Sequence, residues 1–361
     1  MKAMTRRELL AALPALALAP RAFAQSKPTI AQKGFNHFTL AVSDVKRSVD
    51  FYQSLFGMPV QAKQGDAVIL RIGAGPQFVA IAPAGTNKPS ISTMGLAVDN
   101  FSVDRLIGIL AQHGVTRAET SGPFDPASPT SLTGGPMKVR VRRRGPEAGG
   151  AKDGTPELFF GDPDGIAVQL QDATYCGGAG AMGNVCPSPE ASPKKGLMAV
   201  KDISHFTNSG ADANRSNEFY QNLFGIGIRN HQGATAGLAI GPTIGFVMFG
   251  GGGGAARGAQ PGAPAPQRLG NIGHVCMNMD NFKPDNVLKT LETMGISPRG
   301  DQPGPVGPFK HYISMRMPNR GGVEGGTPEL YFTDPDGLLI QLQDVSYCGG
   351  GGFLGNECPK A

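Results

Sequence analysis

After residue 24 the chain has no apolar run near the ~20 residues that a membrane-spanning helix needs, so no later segment is expected to enter a bilayer. It also lacks a nucleic-acid-binding pattern. The one basic cluster, Lys138 to Arg144, alternates with valine and carries no interleaved aromatic residues, so it is expected to be a solvated strand edge. Histidine is scarce, at six residues, and cysteine scarcer, at five. No cysteine shows the short Cys-x-x-Cys spacing and neither cysteine-bearing loop holds a histidine, which argues against a structural metal site there.

What is present begins with an export pattern. Thr5-Arg6-Arg7-Glu8-Leu9-Leu10 is a twin-arginine motif, Leu9 to Pro20 is a short apolar stretch, and Ala22-Phe23-Ala24 is a small-residue exit. Residues 1–24 are therefore expected to be a twin-arginine signal peptide, and the protein periplasmic or secreted. Removing them takes the formal net charge from +5 to +2, since Lys2, Arg6, Arg7 and Arg21 leave with Glu8. With 361 residues the chain is long enough for two domains with a substantial core in each.

Comparing the chain with itself shows a duplication. Asn36-His37-Phe38-Thr39 and Phe51-Tyr52-Gln53-Ser54-Leu55-Phe56-Gly57 recur as Ser204-His205-Phe206-Thr207 and Phe219-Tyr220-Gln221-Asn222-Leu223-Phe224-Gly225. Later, Gly154-Thr155-Pro156-Glu157-Leu158 and Asp162-Pro163-Asp164-Gly165 recur as Gly326-Thr327-Pro328-Glu329-Leu330 and Asp334-Pro335-Asp336-Gly337. The offset is 168 at the first motif and 172 at the last, reaching 181 between them. Loop insertions account for the drift. The largest, Gly250 to Gln267, is rich in Gly, Ala and Pro, cannot bury apolar area, and is expected to be an idle mobile loop.

Each copy reads as strand, helix and strands, twice over. Phe35 to Val42 alternates like a half-buried strand. Ser43-Asp44 offers a helix N-cap, and Val45, Val49, Tyr52, Leu55 and Phe56 keep helical spacing up to Gly57. A second unit opens near Thr93, with a helix through Val103, Leu106, Ile107 and Leu110. Asp162-Pro163-Asp164-Gly165 is a turn between two strands. The expected organisation is a first domain at 35–172, a disulfide loop and linker at 173–202, a second domain at 203–344 and a final disulfide loop at 345–361. Cys176 with Cys186, and Cys348 with Cys358, lie ten residues apart in matching Gly-rich loops. The repeat favours two local disulfides among the three connectivities that four cysteines allow. Cys276 is left over, as a buried apolar thiol.

Taken together, the paired units, the first-strand histidine, the helix ending Leu-Phe-Gly and the terminal Asp-Pro-Asp-Gly hairpin resemble the vicinal-oxygen-chelate superfamily of glyoxalases, bleomycin-resistance proteins and extradiol dioxygenases. The resemblance covers nearly all of 35–172 and 203–344. It implies an α+β fold in which each copy forms a cup-shaped mixed sheet from two βαβββ units. It further implies a divalent metal held by a first-strand histidine, a histidine or glutamate opening the second unit, and a glutamate four residues past the turn. Those positions hold His205, His274 and Gln341 in the second copy, and His37, Thr93 and Gln169 in the first. Neither copy keeps the acidic ligand; Glu329, in the strand entering the turn, is the alternative metal ligand, expected to lie near Gln341 across the hairpin and to supply the missing charge. His113, His231 and His311 match no family position and are expected at the surface or in loops.

Two functions follow from that resemblance. In one, His205, His274 and Gln341 hold iron, zinc or manganese, and the second copy is a metal-dependent lyase, isomerase or dioxygenase for a small substrate with vicinal oxygens. In the other, the cup binds a small molecule without metal, with Thr39, Thr207, Gln171 and Gln343 as polar anchors. Either way the expected partner is a small molecule, the protein being a monomer or homodimer.

Overall fold

The computed structural model describes residues 27–119, 122–251, 269–300 and 306–359. The expected signal peptide and most of the Gly-rich insertion lie outside the described residues. Among the described residues no helix is long and apolar enough to cross a membrane.

The first unit of the first copy is β1 (Gln32–Val42), α1 (Val45–Phe56), β2 (Val60–Gln64), β3 (Ala67–Arg71) and β4 (Phe78–Pro83). Its second unit is β5 (Ser90–Val98), α2 (Val103–Gln112), β6 (Thr116–Arg117), the short α3 (Pro129–Thr133), β7 (Lys138–Arg144), β8 (Thr155–Gly161) and β9 (Ala167–Asp172). The second copy repeats this with β10 (Asp202–Gly210), α4 (Ala213–Phe224), β11 (Ile228–Gln232), β12 (Thr235–Ala239) and β13 (Phe246–Gly251). β14 (Asn271–Met279), α5 (Pro284–Thr293), β15 (Ser297–Pro298), β16 (Lys310–Arg316), β17 (Thr327–Thr333) and β18 (Leu339–Asp344) complete it. Only α3 has no counterpart among the described residues of the second copy.

Each copy forms one nine-stranded mixed sheet, and the two strand orders are equivalent, β2-β3-β4-β1-β5-β9-β8-β7-β6 and β11-β12-β13-β10-β14-β18-β17-β16-β15. The units meet where β1 runs antiparallel to β5, and β10 to β14. Local signals start and stop the helices as their sequences suggest. Asp44 accepts a hydrogen bond from the Arg47 backbone N–H, and Gly57 ends α1 in the left-handed region at φ 66°.

The copies do not have separate cores. α1 and α4 lie between the sheets, with Phe51 and Phe56 of α1 6.3 and 6.2 Å from Phe332 of β17, and Phe219 of α4 6.2 Å from Phe160 of β8. Phe35 and Phe206 meet at 4.9 Å, and one continuous hydrophobic cluster runs through both copies. This explains why β1 is buried on both faces rather than half-buried: one face lines its cup and the other meets the second copy.

The Asp-Pro-Asp-Gly turns lock the two copies together reciprocally. Asp162 and Asp334 each accept two N–H bonds of 2.9 Å within their own turn, while the second carboxylate oxygen takes a tyrosine hydroxyl from the other copy, Tyr220 at 3.4 Å and Tyr52 at 3.3 Å. Asp164 pairs with Arg215 at 2.5 Å and accepts from Ser216 and the Ala211 backbone. Asp336 does the same with Arg47 at 2.7 Å and with both the hydroxyl and the backbone of Ser43. The Phe-Tyr helix motif and the turn motif, each present once in each copy, therefore make contact across the pair.

Two sequence expectations need correction. The basic strand β7 is not a solvated edge: Arg140 and Arg144 are buried and Arg142 is part-buried, because alternate residues of β7 point inward, where Arg142 and Arg144 share the Glu157 carboxylate. His311 is also buried, on β16, 3.4 Å from Glu292, while His231 is exposed and His113 meets the Pro28 carbonyl. The two local disulfides, Cys176–Cys186 and Cys348–Cys358, are both formed, and Cys276 is a buried free thiol.

Burial raises the Asp162 carboxyl to about 7 and that of Asp334 to about 6. The folded chain thus holds protons that an unfolded chain releases near pH 4, so stability from these groups is present at low pH and is lost as pH rises through 6–7. Asparagine keeps the accepting oxygen without the charge. Asp162→Asn with Asp334→Asn should raise Tm, by about 2 °C for each kcal/mol recovered, and the gain should grow from pH 5 to pH 8 in calorimetric scans. A gain that is absent, or flat with pH, would show that both carboxyls are ionised in the fold.

Candidate functional site

In the second copy the adjacent strands β10, β14, β18 and β17 carry polar residues side by side on the cup face. His205 and Thr207 share a face of β10 by the period-two rule. Thr207 pairs with His274 and His205 with Cys276 across the antiparallel ladder. Cys276 then pairs with Gln341 of β18, and Gln341 with Tyr331 of β17, with Glu329 two residues further along. His205, Thr207, His274, Glu329, Tyr331, Gln341 and Tyr347 border one cleft of about 140 Å³.

Both imidazoles are neutral near pH 7. Burial holds His205 well below the usual histidine range, aided by the adjacent His274 and Arg316, and brings His274 down to about 4. His205 packs against the rings of Phe246 (4.3 Å) and Tyr347 (5.5 Å), which also meet each other at 6.1 Å. Its Nε2 is 3.0 Å from Gln341 Oε1 and its Nδ1 is 3.2 Å from the Ser204 hydroxyl. A neutral ring donates at one nitrogen only, so Nε2–H donates to Gln341 while the serine hydroxyl donates to Nδ1. His274 Nε2 and Gln341 Nε2 are buried and make no hydrogen bond of ordinary geometry, although the Gln341 amide lies close enough to His274 to favour its protonated form, in a fold where buried polar atoms usually have a well-formed bond.

These observations test the site against a divalent cation. His274 offers a free lone pair, His205 gains one by changing tautomer, and rotation of the Gln341 amide presents its oxygen to the same space. Two neutral nitrogens and an amide oxygen can hold such an ion, more weakly than a set with a carboxylate. Among the described residues no group of three His, Cys, Asp or Glu side chains is close enough to do so. Glu329 borders the cleft but is committed elsewhere, with one oxygen taking Arg316 Nε at 2.8 Å and the Tyr347 hydroxyl at 3.0 Å. Its other oxygen meets only the Tyr331 hydroxyl, at 3.5 Å.

The first copy shows how the same frame looks when closed. His37 Nε2 is 2.9 Å from the Gln169 amide and its Nδ1 2.7 Å from Asn36, with Thr93 in the place of His274. Glu157, the counterpart of Glu329, is saturated by Arg142, Arg144 and the Tyr175 hydroxyl. Residues around α3 fill the cup, where Leu132 packs on Phe159 and Ala167. Arg140 holds this plug through the Ser131 and Gly122 carbonyls, with its guanidinium 4.0 Å above the Phe124 ring. About 50 Å³ remains, bordered by Thr39, Thr93 and Gln169.

The structure thus gathers His205, His274, Gln341, Glu329 and Thr207 at one cleft, and His37, Gln169, Thr93 and Thr39 at a filled one. Gln171 and Gln343 do not border either space. Both are fully enclosed, the first with no amide partner and the second donating to the Pro328 carbonyl at 3.3 Å. Sequence reasoning missed Tyr331, Tyr347, Ser314 and Arg320. The repeat offset of 172 carried the signal for three of them, since they stand where the first copy has Phe159, Arg142 and Ala148.

Comparison with known proteins agrees with the geometry. Residues 34–170 match the model of the Glyoxalase/Bleomycin resistance protein/Dioxygenase superfamily. No match was found among curated proteins. Among solved structures, a catechol 2,3-dioxygenase is similar with a TM-score of 0.53 at 14% identity, covering 89% of this chain and 88% of that one. BphC, a halotolerant catechol dioxygenase, gives 0.53 at 14%, over 89% and 87%. A variant of homoprotocatechuate 2,3-dioxygenase from Brevibacterium fuscum gives 0.54 at 16%, over 88% and 73%. At these identities the likeness is one of fold. Residues 34–170 thus form a domain of that superfamily, known also as the vicinal-oxygen-chelate superfamily, and the second copy repeats its strand order and motifs.

Proposed function

We propose that the second copy is a metal-dependent site for a small substrate with neighbouring oxygens, and that the first copy is structural. The observation that carries this reading is the orphaned pair of buried nitrogens, His274 Nε2 and Gln341 Nε2, beside the neutral His205. His205, His274 and Gln341 would hold iron, zinc or manganese. When bound, such an ion polarises substrate oxygens and makes a coordinated hydroxyl easier to ionise. The chain's own residues do the remainder. Buried walls exclude water, the Tyr331 and Tyr347 hydroxyls stand in the cleft, and the Glu329–Arg316 pair fixes Tyr347 against His205. The size of the cleft suits about one six-membered ring, since a cavity of about 150 Å³ admits benzene.

Export remains part of the same proposal. The twin-arginine motif fits a protein that folds and takes up metal before crossing, and the two disulfides fit an oxidising compartment such as the periplasm. A second reading, metal-free capture of a small molecule in the manner of bleomycin-resistance proteins, is favoured by the missing acidic ligand and by the bond His205 already makes to Gln341.

Elemental analysis of protein purified without chelators separates the two. Close to one equivalent of a transition metal is expected, abolished by His274→Ala and retained in His37→Ala. Less than about a tenth of an equivalent after anaerobic reconstitution would leave only the metal-free reading. Restoring a carboxylate by Gln341→Glu should tighten zinc binding about tenfold or more in a competition titration with a fluorescent chelator. Unchanged or weaker binding would place the ion away from β18.

A further inference from the structure

The second cup differs from the first at its mouth as well as its floor. Arg320, in the turn after β16, borders the cleft together with Gln232 and Thr235 of the β11–β12 hairpin. It is exposed and makes no ion pair with any described residue. The repeat places Ala148 at the matching position of the first copy, and Ala67 at that of Thr235. The open cup therefore carries a guanidinium at its rim where the filled one has a methyl group.

The charge pattern along the cleft gives that guanidinium a role. At the floor, Glu329 keeps one carboxylate oxygen with a single long contact to Tyr331, because Ser314 stands across the ladder where Arg142 covers Glu157 in the first copy. An anionic group placed there would face the Glu329 oxygen that Arg316 does not cover, whereas at the mouth it would meet the unpaired Arg320, whose planar fork of donors matches a carboxylate. We infer that Arg320 selects the substrate of the second cup, a small molecule bearing an anionic group, most simply a carboxylate, at the end opposite its paired oxygens. This rests on the proposed function for where the oxygens lie. The contact between Arg320 and the anion needs no metal.

Catechol and 3,4-dihydroxybenzoate share a ring and two neighbouring hydroxyls and differ by one carboxylate. Their affinities are to be measured by calorimetry on the whole protein, both metal-free and loaded with redox-silent zinc, with zinc binding measured separately. Wild type should favour the acid about fivefold, as a solvent-facing charged contact allows, and the preference should shrink in high salt. Arg320→Gln should bind both compounds alike with its affinity for catechol unchanged, and Arg320→Lys should keep part of the preference.

Equal binding in wild type, a preference that survives Arg320→Gln, or an equal weakening of both compounds would overturn the assignment. So would failure of either compound to bind with and without zinc. A carboxylate preference in protein that takes up no zinc would remove the metal reading and leave Arg320 in its role. Zinc uptake without the preference would do the reverse.

Discussion

The architecture depends on a reciprocal contact between buried carboxylates and the helix of the opposite copy. Each Asp-Pro-Asp-Gly turn uses one aspartate to close itself and to meet a tyrosine hydroxyl, and the next to hold an arginine and a serine across the interface. Placing carboxylates in an apolar seam is costly unless their oxygens are bonded, and here they are. The same contacts tie the cups to one another. Asp164 also accepts from the Gly270 N–H through its carbonyl, so a turn of the first copy grips the end of β10 and the approach to β14, the strands that carry His205 and His274.

Seen from that seam, the closed first cup still has a job to do. Its plug and its saturated Glu157 leave only about 50 Å³ free, yet its sheet and turn brace the open cup. The disulfide loops contribute from the other side. Each carries a buried tyrosine whose hydroxyl reaches the glutamate of its copy, Tyr175 to Glu157 and Tyr347 to Glu329. In the second copy that tyrosine is also a wall of the cleft, so a crosslink near the surface fixes a ring beside His205.

Much of this was legible in the sequence because it was local or repeated. The cap at Asp44 and the stop at Gly57 announce α1, the duplicated motifs announce two equal sheets, and the cysteine spacing announces the paired disulfides. The family resemblance, carried over position by position, also brought His205, His274 and Gln341 to one place. What could not be read depends on distant partners. Nothing local shows that Arg144 is buried by Glu157, that His311 sits under α5, or that the face of β1 turned away from its cup is covered by a second copy. The burial of Gln171 and Gln343 escaped for a similar reason. Period-two alternation gives the face of a strand but not how far along it the open space extends.

Two nearly equivalent halves clasped through the same surface on each side have the geometry of a twofold homodimer, here written into a single polypeptide. In a true homodimer every substitution appears twice, so one pocket cannot change without the other. Covalent linkage removes that constraint. A histidine at 274 opposite a threonine at 93, or an arginine at 320 opposite an alanine at 148, is open only to a chain that encodes its two halves separately. The constraint of symmetry was lifted while its interface was kept, and the two cups could come to differ, one filled and one open.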